Sequence, residues 1–138
     1  MIPERPPVAG TVIRYSYLWK EQADRGREEG EKDRPVALIL AAGPECIVLP
    51  ITHSPPKDPA AAVELPDAER ARLGLDDGPC WVILTELNVF AWPGPDLRPI
   101  PRKEPSTVIY GRLSRWLFAE VLRRVQARAR LIGRVSRT

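Results

Sequence analysis

Apolar residues along the chain fall into short runs, each bounded by glycine, proline or a patch of charge. Thr11 to Trp19 follows Gly10 and is rich in β-branched and aromatic residues, which predicts a first strand. Arg34 to Leu40 is mostly apolar and too short for a helix, and Pro35 is tolerated at a strand's first positions. Gly43-Pro44 then turns the chain, so Cys46 to Thr52 runs back as an antiparallel partner. That run stops at Thr52-His53-Ser54 and the breaker Pro55-Pro56. Ala62 to Leu65 reads as an edge strand, and Asp67 to Leu73 as one or two helical turns before Gly74. Cys80 to Phe90 carries the longest strand signal and predicts one strand that crosses the core and bends. Val108 to Tyr110 is a candidate to close the sheet.

Only the last part of the chain has a helical period. Leu113, Leu117, Val121 and Val125 recur every four residues, with no proline after Pro105, and predict a helix over 113–132. Ser114 is placed to cap it and Gly133 to end it, while Arg123, Arg124, Arg128 and Arg130 complement the negative end of its dipole. The whole chain, 1–138, is read as one domain with an extended lead-in over 1–9. The expected fold is mainly β with α, a small, bent β-barrel of five to seven strands with a C-terminal helix. Residues 20–33 are rich in charge and read as a water-facing loop. The three prolines within 92–99 read as a stiff one.

Composition sharpens this picture at a few points. Sixteen prolines among 138 residues exclude long helices over most of the chain. Residues 111–138 carry eight arginines against Glu120, a local charge of +7 that leaves −4 on the rest. Such a tail attracts phosphate backbones or an acidic segment, or serves as a solvated helix face. No run approaches the roughly 18 apolar residues of a membrane span, and Met-Ile-Pro-Glu-Arg-Pro-Pro does not read as a signal, so a cytoplasmic protein without a membrane partner is expected. Cys46 and Cys80 sit in separate apolar runs and read as buried free thiols. With one histidine, His53, the chain offers no evident metal set, and no cofactor is called for. Phosphate loops, dinucleotide fingerprints and a Gly-x-Ser-x-Gly elbow are all missing. His53 and Ser54 are neighbours in an extended segment and project apart, which argues against a hydrolase pair.

What remains is an ordered set: Gly10 opening an apolar strand, a charged loop, Lys32-Asp33-Arg34-Pro35 before the next strand, and Pro50-Ile51-Thr52 ending its neighbour. In this order the chain resembles the MazF/PemK family of toxins from toxin–antitoxin pairs, over about residues 10 to 130. The resemblance extends to Thr85 through Trp92 and to Gly111-Arg112-Leu113-Ser114. It implies an SH3-like barrel, a homodimer, sequence-selective cleavage of single-stranded RNA without a metal, and an antitoxin that blocks the site. By the same resemblance the family's arginine and threonine fall on Arg34 and Thr52. The loop before Arg34 is longer than is usual in the family, and residues 92–99 stand where a simple turn is expected.

The residues themselves suit that chemistry. Attack by the RNA's own 2′-hydroxyl needs a proton acceptor, a cation for the developing phosphorane and a donor for the 5′-oxygen. Arg34 offers a fork of donors that fits phosphate oxygens. Thr52 can hold a phosphate oxygen or the attacking hydroxyl, or simply bond its own turn. His53 is the titrating group beside them, with a structural or stacking role as the alternative. Thus Arg34, Thr52 and His53 are the catalytic candidates. Glu31, Lys32, Asp33, Ser54, Trp19 and Trp92 are candidates for RNA contact, the two tryptophans as stacking surfaces. Glu29, Glu31 and Asp33 can orient the guanidinium or remain solvated. Trp81 and Phe90 are assigned to the core. Two non-enzymatic readings compete: a binding module that poisons gyrase from the same barrel, and an RNA-binding regulator working through the basic helix.

Overall fold

The computed structural model describes residues 2–30, 32–75 and 78–137. Its elements, in chain order, are β1 (Thr11–Tyr15), α1 (Lys20–Asp24), β2 (Arg34–Ala42), β3 (Glu45–Thr52), β4 (Ala62–Glu64), α2 (Asp67–Leu73), β5 (Trp81–Ile83), β6 (Glu86–Ala91), β7 (Ile109–Arg112), α3 (Arg115–Ala127) and β8 (Gly133–Ser136). The chain is therefore mainly β with α. Among the described residues eight strands form a sheet ordered β4-β5-β3-β2-β1-β7, with β6 joined to β3 and β8 to β6. All pairings are antiparallel except β6 with β8.

The expected barrel is not closed. The path ends at β4 and β7, strands of three and four residues. β7 pairs with β1 but not with β4, and packs against α2, where the Leu73 side chain takes the space a Cβ at Gly111 would need. A helix thus stands where the last ladder would have to form.

Period-two alternation along the central strands feeds two cores. Val12, Ala37, Leu49 and Ile51 point to one face, under Leu73 of α2 and Leu117 and Val121 of α3. Ile13, Val36, Leu38 and Val48 point to the other, where Tyr15, Tyr17, Phe90 and Trp92 pack. Phe90 reaches the core as expected, whereas Trp81 is only half-buried.

The segment Cys80 to Phe90 is two strands rather than one. β5 pairs with the end of β3, Val82 opposite Ile51, and β6 with its beginning, Val89 opposite Ile47. Between them Leu84 turns fully inward and donates its amide to the Ala61 carbonyl, while the Thr85 carbonyl accepts the Gly133 amide. Gly133 does not simply end the last helix. α3 stops at Ala127, a short 3-10 turn covers Ala129–Leu131, and Gly133 opens β8. Ser114 precedes α3 but turns its hydroxyl to Glu69 of α2 instead of capping the helix. The charged loop also contains α1, braced by Lys20–Asp24 and Glu21–Arg25 pairs.

Buried polar groups tie the non-local pieces together. Asn88 is fully buried; its amide donates to the Leu18 carbonyl at 2.8 Å and its oxygen accepts the Leu18 amide at 3.0 Å. Leaving either group unpaired costs about 1–3 kcal/mol, so this clamp fixes the exit of the chain from β1. Among the described residues no helix is long and apolar enough to cross a membrane.

Candidate nucleic-acid cleft at the end of the central hairpin

The β2–β3 hairpin sets the geometry of the site. Val36 lies opposite Pro50, and both strands run two residues further, to Arg34 and Thr52. The same register carried outward sets Arg34 across from Thr52. Both residues line a cleft of about 430 Å³ at that end of the sheet, together with Lys32, Asp33, His53 and Ser54. Six of the residues expected at the site therefore share one wall. Glu31 lies outside the described residues.

Thr52 is half-buried and its Oγ1 accepts the Ser54 amide at 3.1 Å. The turn contact expected as an alternative is therefore present. It uses one lone pair of the hydroxyl and leaves the proton and the second lone pair for another partner. His53 is exposed, and its Nδ1 lies 2.9 Å from the Pro79 carbonyl. A carbonyl only accepts, so Nδ1 carries the proton and a neutral ring keeps its lone pair on Nε2. The backbone thereby selects the tautomer in which Nε2 is the free acceptor.

Arg34 sits with its guanidinium carbon 5.0 Å from the centre of the Trp19 ring. Trp19 is half-buried and meets Tyr17 edge-on at 5.1 Å. It thus steadies the arginine from beside the cleft rather than lining it as an open stacking surface. Trp92 is further from the expectation. Its ring is buried, near Phe90, and lies by the β2–β3 turn at the opposite end of the hairpin. Glu29 faces a different hollow, with Arg27 and Asp96.

Two cleft residues had not been singled out. Arg14, on β1 opposite Pro35, donates from Nη1 to the Tyr110 hydroxyl of β7 at 3.0 Å, and both side chains line the cleft. A charged residue inside the apolar run around Ile13 was the available signal, because a strand that packs on both faces has no reason to carry one. Tyr110 carried no comparable mark. With Lys32 and Arg34, Arg14 brings three cations against Asp33, the acid among the described lining residues. Asp33 in turn faces Arg98 of the proline-rich loop at 3.5 Å. Such a wall attracts anions, and planar guanidinium groups match phosphate oxygens best.

The floor is apolar. Ile51, Leu75 and Cys80 are buried there, with Ile100 and Pro101 at the side. Burial pushes the Cys80 thiol upward, and that of Cys46 up to about 11; both are free thiols and neither is poised as a nucleophile. The basic helix is less open than its charge suggests. Glu120 holds Arg123 and Arg124, and Arg124 also donates to the Ala62 carbonyl. No family model matches the chain, and no curated protein matches it.

Proposed function

We propose that the protein is an endoribonuclease that cleaves single-stranded RNA in this cleft by attack of a ribose 2′-hydroxyl on the adjacent phosphate. The observation that carries the reading is that Arg34 and Thr52, the pair on which the resemblance to MazF/PemK toxins rests, line one cationic cleft together with His53. In this reading Nε2 of His53 takes the proton of the 2′-hydroxyl as the O2′–P bond forms. Arg34 and the Thr52 hydroxyl hold the non-bridging oxygens while charge builds on them. The P–O5′ bond then breaks, and the 5′-oxygen takes a proton from the Lys32 ammonium or from water. The products are a 2′,3′-cyclic phosphate and a 5′-hydroxyl. Arg14, held by Tyr110, is placed to take a neighbouring phosphate. The same reading brings a homodimer, an antitoxin segment that covers the cleft, and a cytoplasmic location.

The test is a long single-stranded RNA incubated with pure protein and chelator. Fragments ending in 2′,3′-cyclic phosphate are expected, with Arg34→Ala slowing their appearance by about 100-fold or more. Intact RNA, or undiminished cleavage by the variant, overturns the proposal. RNA that is retained in a gel shift but left intact reassigns the cleft to a binding module.

A further inference from the structure

The other end of the central hairpin carries a second hollow, about 510 Å³ in volume. Trp92, just beyond β6, donates its backbone amide to the Pro44 carbonyl at 2.7 Å, which anchors it to the β2–β3 turn. Its indole Nε1 donates to the carbonyl of Pro3 at 2.8 Å. Ala41, Gly43 and Pro44 form one side of the hollow, and Glu4, Arg5 and Pro6 lie on it from the other.

The segment seated there has a distinct chemistry. Pro3 and Pro6 stand three apart, and Pro7 follows. Residues 2–7 belong to no helix or strand, and Ile2 to Arg5 are exposed. A proline-rich stretch is already restricted before it docks, so it loses little entropy, and its carbonyls have no partner within the segment. A tryptophan offers such a stretch a flat apolar face and one donor at its edge. Small residues beside the ring leave room for the pyrrolidine rings. Aromatic grooves take P-x-x-P segments on this physical basis.

We propose that the Trp92 groove is a binding site for proline-rich peptides of the P-x-x-P type, engaged in cis along one side by Pro3 to Pro6 and able to take such a segment in trans. The groove lies roughly 26 Å from Arg34 along β2, at about 3.3 Å per residue, so the inference does not depend on the chemistry of the cleft. A short tether holds the cis segment at an effective concentration in the millimolar range, which makes it a strong competitor. Wild-type protein should therefore take up added peptide poorly.

The test uses the full chain with Pro3→Gly and Pro6→Gly together, changes that keep the Pro3 carbonyl position but release the backbone. A synthetic peptide of residues 2–8 is titrated while the tryptophan indole N–H signals are followed by NMR, Trp92 being identified with Trp92→Phe. Saturable binding to the double variant is expected, with a shift at Trp92, and binding by the wild type at least about tenfold weaker. Replacing all three prolines of the peptide by alanine should abolish it. A folded double variant that ignores the peptide overturns the proposal, and so does equal binding of the alanine peptide. Dimers of wild-type protein that the double variant loses, without uptake of peptide, assign the groove to a second copy and overturn it as well.

Discussion

The Thr52 hydroxyl accepts the Ser54 amide at 3.1 Å, a contact that uses one lone pair and leaves the proton for another partner. Thr52→Val keeps the shape and the β-branch that suit a strand end and removes the hydroxyl alone. Cleavage should fall by about 100-fold, the loss typical of one donor to a transition-state oxyanion. Thr52→Ser should retain most of the activity. Equal rates for the valine and wild-type proteins, measured with a labelled oligonucleotide, would confine Thr52 to its turn.

In the proposed mechanism His53 has two separable duties, a loop contact from Nδ1 to the Pro79 carbonyl and base catalysis at Nε2. Asparagine supplies a side-chain N–H of similar reach to Nδ1 but nothing in place of Nε2. His53→Asn should therefore hold the loop and the melting temperature while cleavage drops by about 100-fold, within the range for one general base. A variant as active as wild type would leave His53 a tether only.

The hairpin that builds the cleft was legible because its signals are local: an apolar run, Gly43-Pro44, a second run and a double proline. Arg34 and Thr52 could be expected to face each other from that alone. Arg14 and Tyr110 could not, because their approach depends on the register between β1 and β7, strands separated by most of the chain. The break at Leu84 and Thr85 left no mark either, since β-branched and apolar residues continue through it. β8 was hidden behind arginines that look like the end of a helix. Its four residues are too few to show alternation, and what makes them a strand is the parallel pairing with β6. Trp92 is buried in the second core and bonds Pro3, a partner 89 positions away that no local pattern announces.

Two carboxylates, Glu69 buried and Glu86 half-buried, should give the fold opposite pH responses. Burial alone would raise Glu69, but the Ser114 hydroxyl and amide and the Arg72 guanidinium outweigh it and hold the group below its usual range. Its contribution is present above the ordinary carboxylate value and is lost as pH falls through the folded one. Glu69→Gln should thus cost about 1–3 kcal/mol at neutral pH and progressively less in acid. Burial dominates at Glu86 and raises it, despite bonds from the Lys20 amide and the Tyr17 hydroxyl. There the folded state binds the proton more tightly, so stability declines as pH rises from the ordinary value through the folded one. Glu86→Gln keeps an oxygen for both donors and should flatten that decline. Denaturant midpoints collected across acid and neutral pH would check both signs; a steeper decline in Glu86→Gln would contradict the second.

Arg137, just after β8, meets Asp96 of the proline-rich loop at 3.0 Å, with their side chains 4% and 14% exposed. The guanidinium also donates to the Ser16 carbonyl at 2.8 Å and the Asn88 oxygen at 3.2 Å, and lies 5.5 Å from the centre of the Tyr15 ring. Three distant parts of the chain therefore converge on one buried cation. Removing its counter-charge leaves that cation with dipoles alone, and Asp96→Ala should destabilise the fold by about 3–5 kcal/mol. Arg137→Met fills much of the same volume without charge, yet strands Asp96. The double variant should be more stable than the sum of the two losses, because neither charge is then left without the other. Thermal unfolding of the four proteins in the cycle measures this directly. Strict additivity would mean that Arg137 holds β8 through Ser16 and Asn88 and owes nothing to the acid.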